Sequence, residues 1–337
     1  MIRWRTIDFQ QTETGESGFV DPSGDQRAAR FYRLRSDAAN VTVTLTNYRG
    51  WSNSIVLSNG AVEAIVVPTI GRIMQFRFAG EDHGPFWENP ATLGQSPGEN
   101  SWAVSGSFGG DKAWPSPQSA WNWPPPRGFD SAVFTGSVTN GQATLTGPVD
   151  PVFGIRVVRR IELHPVEALL RITTTFEKVE GPASRIGVWV VTQLENPVRL
   201  FLPVPPTSIY SRGYQVLGSA PPDIAVTNGL ISLTHDKTSS AKIGNDAGAL
   251  LWVGDRNALL IESPRITGLP RGDYPDNGCS AEIYTNPDPT PYVELELLGP
   301  LTALTEGESI SAASSYRLYR RTEETPLEEA MKLLNEE

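Results

Sequence analysis

Short runs of alternating or β-branched residues, cut by glycine, proline, asparagine or aspartate, recur through most of the 337 residues and dictate what this chain can become. Examples are "VTVTLTN" (41–47), "VEAIVVPTIG" (62–71), "IRVVRRIEL", "LLRITTTFE", "IGVWVVTQL" and "YVELELLG". Asn140-Gly141 and Asn228-Gly229 sit between such runs, and Asn-Gly is the strongest short-range hairpin signal. Roughly a dozen or more strands with almost no helix predict an all-β chain of two large stacked antiparallel sheets. Only the tail, "TPLEEAMKLLNEE", reads as helix, with Thr325 as N-cap, Pro326 at the first helical position and Glu328 three residues after the cap. Leu327, Met331 and Leu334 would share its apolar face. No repeat or linker marks an internal boundary, so residues 46–337 are expected to form a single domain. Residues 1–45, polar and irregular, are expected to be an N-terminal extension packed on the sandwich.

The formal net charge of −10 repels phosphate backbones and anionic lipid heads, which argues against nucleic-acid and membrane partners. No segment reaches the ~20 apolar residues of a membrane span. The N-terminus, "MIRWRTIDFQQTETGES", has arginines but no apolar run, unlike a signal peptide. Cytoplasm fits, and a periplasmic or secreted chain whose leader had been removed would look the same. The single cysteine, Cys279, has no internal disulfide partner, and His83, His164 and His235 lack metal-ligand spacing. "PDNG" falls short of the ligand count of a calcium loop. No cofactor or metal is expected.

Four stretches hold the residues that could carry chemistry. The first is "SFGGDKAWPSPQSAWNWPPP" (107–126), in which proline and glycine argue against regular structure. It joins Asp111, Lys112 and Gln118 to Trp114, Trp121 and Trp123. Indole faces suit the C–H faces of sugar rings while their N–H groups bond hydroxyls, so a rigid tryptophan loop beside charges fits a sugar site. The same loop could instead bury its tryptophans as a plug over a sheet. The second stretch places Arg72 just after the Gly71 bend, where its fork could grip hydroxyls or a carboxylate or form a surface ion pair. His83 follows in the polar loop "EDHGPFWENP", which also holds Trp87, Glu88 and Asn89; it is either a catalytic candidate or simply solvated.

The third stretch is residues 273–301. Strand alternation puts Ser280, Glu282, Tyr284 and Asn286 on one face of "CSAEIYTN", and Tyr292, Glu294 and Glu296 on one face of "YVELELL". A carboxylate there, sheltered by tryptophan, could have a raised pKa and act as acid or base; ordinary solvent-facing glutamates are the alternative. In the fourth, "SRIGVWVVTQLENP", Gly187, Trp189, Val191 and Gln193 share a face, and Trp189 and Gln193 could line a cleft.

"LSNGAVEAIVVPTIGRIMQFRFAG" resembles the opening strands of the galactose mutarotase (aldose 1-epimerase) superfamily, with "IGRI" in place of a "GGRI"-like bend. "GGDKAWPSPQ", "AEIYTN" and "YVELELLGPL" look closer to a bacterial branch of it, known chiefly as a domain of unknown function with a GGDK-x-W-P motif. The resemblance covers residues 50–320. It implies a β-supersandwich whose concave sheet holds a carbohydrate groove. In aldose 1-epimerases a late glutamate takes the anomeric proton, and Glu282 falls in that place. A histidine in an "N-H-x-Y-F" segment protonates the ring oxygen; the matching stretch here, "VWVVTQLENP", has Thr192 and Gln193 instead. The resemblance therefore leaves several readings. Lys112, Asp111 or His83 could supply the proton in an epimerase-like reaction. Asp111 or Glu294 could face Glu282 in a glycosidase or lyase, with carboxyl groups ~5 Å apart for retention or ~6.5–9.5 Å for inversion. The chain could also be a non-catalytic carbohydrate-binding protein. An enzyme acting through carboxylate acid–base chemistry is the preferred expectation, by analogy of fold.

Overall fold

The computed structural model describes residues 41–98 and 107–335, together with the paired dipeptides Gln10–Gln11 and Ser17–Gly18. The chain divides into two compact units, 1–36 and 37–337. Most of the expected N-terminal extension lies outside the described residues, and so does Trp102. From Thr42 onward, however, the expected extension already contributes an edge strand of a large sheet.

Two antiparallel sheets make up the second unit. One has ten strands, in the order Ala225–Thr227, Leu230–Leu233, Arg199–Pro203, Ala249–Val253, Asn257–Glu262, Ser309–Arg320, Leu169–Lys178, Ile155–Leu163, Gln142–Asp150 and Thr135–Thr139. The other runs Gln215–Val216, Ala241–Asn245, Ala281–Thr285, Val293–Leu298, Ser184–Leu194, Asp111–Ser116, Arg72–Phe78, Val62–Val67, Trp51–Ser58 and Thr42–Tyr48, with Thr302–Leu304 paired to the start of the Ser184 strand. The core lies between them, built from residues such as Val66, Phe76, Val188, Ile172, Phe176 and Leu259.

Local chemistry explains the turns. Asn140 and Gly141 both take positive φ (51° and 76°), as do Asn228 and Gly229 (52° and 76°). That is the geometry of a two-residue turn whose twist matches the flanking strands. Gly71, at φ 64°, closes the short 3₁₀ turn Pro68–Ile70. A Cβ there would meet the Phe134 ring at 2.4 Å, so glycine is required twice over. In the C-terminal helix, Pro326–Asn335, the Thr325 hydroxyl accepts from Glu328 N at 3.2 Å while the Glu328 carboxylate accepts from Thr325 N at 3.1 Å. This capping box aims Leu327, Met331 and Leu334 at a satellite core around Phe201 and Leu251.

The two sheets differ in how their outer faces are used. Gln142–Asp150 and Ile155–Leu163 largely alternate between buried and partly exposed positions, the mark of a face in water. In Asp111–Ser116 and Val293–Leu298 all residues are buried, including Lys112, Glu294 and Glu296. Charged side chains on the outer face of these central strands are thus withdrawn from water, which is costly without a reason to be there. Asp111 points the other way. It forms a short ion pair with Arg159 and accepts hydrogen bonds from Thr192 Oγ1 at 2.7 Å and Tyr316 Oη at 2.6 Å. Arg159 and Tyr316 come from the ten-stranded sheet, so this network fastens the sheets together through their shared core.

Candidate functional site

The outer face of the eleven-stranded sheet carries a cleft of about 410 Å³. Strand register gathers its floor. Lys112 is opposite Val191, Trp114 opposite Trp189, Gln193 opposite Glu294, Glu296 opposite Glu282, and Tyr284 opposite Lys242. Paired residues project to the same side of a sheet, so five strands deliver their polar groups to one surface. The walls are aromatic. Trp114 meets Trp189 edge to face at 5.3 Å and Trp123 at 6.2 Å, while Trp87 and Tyr292 lie 4.8 Å apart across the cleft lining. Trp123, at the rim, is 57% exposed.

Two lysines serve the floor, and they are held differently. Lys242 Nζ lies 2.7 Å from Glu282 and 2.8 Å from Glu296, over the Trp189 ring. Burial opposes its charge, but the two carboxylates outweigh burial and keep its pKa above the usual lysine range. Lys112 is 1% exposed; its Nζ is 3.5 Å from Glu294 Oε1, stands 4.7 Å from the Trp114 ring centre, and has no hydrogen bond among the described residues. Burial pulls this ammonium down to about 8, with Glu294 opposing and Arg72 adding to the fall. Burial raises the Glu294 carboxyl, against the pull of Lys112.

A chain of buried hydrogen bonds fixes Glu294 from behind. Gln193 Nε2 donates to Glu294 Oε1 at 2.9 Å, and Ser107 Oγ donates to Gln193 Oε1. Arg72 reaches Ser107 Oγ at 3.3 Å and Asp130 Oδ1 at 2.9 Å, and Trp114 Nε1 donates to the same Asp130 oxygen at 2.8 Å. The carboxylate and the tryptophan wall are therefore oriented by one network.

Trp114, Gln118, Trp123, Trp189 and Glu294 line the cleft, with Lys112 directly beneath. The remaining expected site residues do not line the cleft. Asp111 faces the inter-sheet core, because "DKAWPS" is a strand and consecutive residues take opposite faces. Arg72 is fully buried on Asp130 and acts from behind the site. Trp121 is buried with its indole N–H on Pro115 O. Gln193 lies under Glu294. His83 is exposed beside Arg49, apart from the cleft. Glu282, expected as the base, is 0% exposed and sealed under Lys242; burial pushes its carboxyl well above the usual range, with Lys242 opposing.

Lys242, Ser107, Asn89, Trp87 and Thr290 line the cleft although sequence gave no strong reason to choose them. Lys242 had one available signal: a lone lysine in "AKIGN", two residues from a glycine in a strand otherwise apolar or small. Glu296, equally readable as an ordinary surface glutamate, is 1% exposed and accepts the Trp189 indole N–H at 2.7 Å.

No protein-family model and no curated protein matches this sequence. Solved structures do match it. A galactose mutarotase-like protein from Lactobacillus casei is 12% identical at a TM-score of 0.53, over 79% of this chain and 100% of its own. A galactose mutarotase related enzyme from Lactobacillus acidophilus is 11% identical at 0.50, over 81% and 99%. A TPR-domain containing protein from Parabacteroides distasonis is 12% identical at 0.52 over 80% of this chain, which spans only 48% of that protein. At such identities the likeness speaks for architecture, and the architecture is the galactose mutarotase-like β-sandwich.

Proposed function

We propose that the cleft binds a sugar and that Glu294 and Lys112 move protons on it. The observation that carries this reading is the loosely held Lys112–Glu294 couple, buried at the floor of a cleft walled by tryptophan and tyrosine. Aromatic faces take the apolar side of a pyranose, and the exposed Gln118 amide offers hydrogen bonds to its hydroxyls. Glu294, its carboxyl raised by burial and held by Gln193, accepts the proton of a sugar hydroxyl. Lys112, with its donors unspent, gives a proton to a neighbouring oxygen. This assigns to Glu294 the base role that the resemblance gave to Glu282. It also gives Gln193, in the place of the missing histidine, the task of orienting that base. The names of the two mutarotase-type structures support a sugar as ligand.

Tryptophan fluorescence titrated with a panel of free aldoses and methyl glycosides tests binding, and NMR exchange between anomers tests turnover. Binding is expected to weaken in Trp123→Ala, and exchange to fall at least ~100-fold in Glu294→Gln while binding persists. Failure of every sugar to perturb the fluorescence would overturn the reading. Binding without exchange in the wild type would leave a carbohydrate-binding protein in place of an enzyme.

A further inference from the structure

We infer that Lys112 is a nucleophilic amine that forms an imine with the open-chain aldehyde of its ligand; this rests on the sugar-binding reading and specifies which form of the sugar reacts. The chain has five lysines, at 112, 178, 237, 242 and 332. Lys237 is exposed and Lys332 is paired with Glu323 at 2.9 Å. Lys178 donates to Phe153 O, and Lys242 is clamped by two carboxylates. Lys112 alone combines near-complete burial with an Nζ that makes no hydrogen bond among the described residues.

A lysine serving only as structural counter-ion would be expected to close on its partner as Lys242 does, at 2.7–2.8 Å. Lys112 stands off at 3.5 Å, with the Trp114 ring on another side and Arg72 adding positive potential from behind. Desolvation and a neighbouring cation are the two devices that keep a lysine amine neutral enough to attack a carbonyl. Glu294 and Trp114 line the cleft and both adjoin the Lys112 nitrogen, so the amine lies directly behind that lining and a carbonyl carbon reaches it by entering between the two side chains. The Lys112 pKa of about 8 leaves a usable fraction of free amine near neutrality.

The step balances without any further reagent. The Nζ lone pair attacks the aldehyde carbon, and the carbonyl π electrons pass to oxygen. That oxygen gains one proton through Glu294 as nitrogen loses one, giving a carbinolamine. A second proton delivered by Glu294 lets the oxygen depart as water while nitrogen forms the C=N bond. Loss of the remaining N–H proton to Glu294 leaves the neutral imine. Amine and aldehyde are converted to imine and water, with no net oxidation or reduction.

D-Glyceraldehyde serves as the probe, because it presents a free aldehyde and is small enough not to depend on recognition of a whole sugar ring. The full chain is incubated with it and sodium cyanoborohydride, which reduces any imine to a stable secondary amine, and the peptides are mapped by mass spectrometry. The expected result is an adduct on Lys112 at least ten times more abundant than on Lys237 or Lys332. Its formation should slow in Glu294→Gln, with folding of that variant checked by thermal melting. An unmodified Lys112 in a sample whose Lys237 and Lys332 carry adducts overturns the imine. Fluorescence titration of the same protein with methyl glycosides, which cannot open, reports separately on sugar binding, so the two readings fail independently.

Discussion

Replacing Lys112 with methionine should change how stability responds to pH, and the sign follows from burial. Lys112 falls from 10.5 to about 8 on folding, so between those values the unfolded chain holds a proton that the native protein has lost. Stability then rises with pH across that window and is lowest below about 8. Between pH 7 and pH 9.5 the wild type should gain about 2 kcal/mol from this group alone. Lys112→Met should lose that gain. Removing the ammonium also leaves Glu294 without the cation at 3.5 Å that holds its carboxyl down, so that carboxyl should rise further in the variant. Urea unfolding of both proteins at the two pH values measures the difference of differences, in which the titrations of other groups largely cancel. Equal pH responses in the two proteins would show that Lys112 is not a desolvated amine in the native state, and the acid role and the imine would both fall with it.

Asp111→Asn leaves the Arg159 guanidinium uncompensated between the sheets and should cost about 3–5 kcal/mol in urea unfolding, as expected for breaking a buried pair from one side. A loss below about 1 kcal/mol would mean that the network fastening the sheets is not held by charge. Gly109→Ala imposes a side chain at φ 95° and sets its Cβ 2.2 Å from the Trp87 carbonyl oxygen, so Trp87 must shift. It should cost at least about 2 kcal/mol and alter fluorescence quenching by sugars, both readable in one sample.

Alternation made much of this site legible. Tyr284, Asn286, Tyr292, Glu294 and Glu296 were placed on polar strand faces by counting in twos, and Trp189 and Gln193 likewise; the cleft and its backing are built from those faces. Alternation could not reveal which faces were buried, because solvent-facing and cleft-facing glutamates read alike. It was set aside at "GGDKAWPS", where glycine and proline suggested a loop. The segment is a strand with Pro115 within it, and one peptide step separates an inter-sheet aspartate from a cleft lysine. Lys242 and Ser107 became visible only through pairings between strands and loops far apart in the chain.

The adjacency of Asp111 and Lys112 bears on how this chain can vary. The strand acts as a partition with one carboxylate on its core side and one ammonium on its cleft side. A single-residue insertion ahead of it, absorbed by a slip of register, would turn the aspartate toward the cleft and the lysine toward the inter-sheet core. An insertion of two would restore both. Length changes just before this strand should therefore be tolerated in even steps and selected against in odd ones, a parity rule that a library of loop insertions would expose.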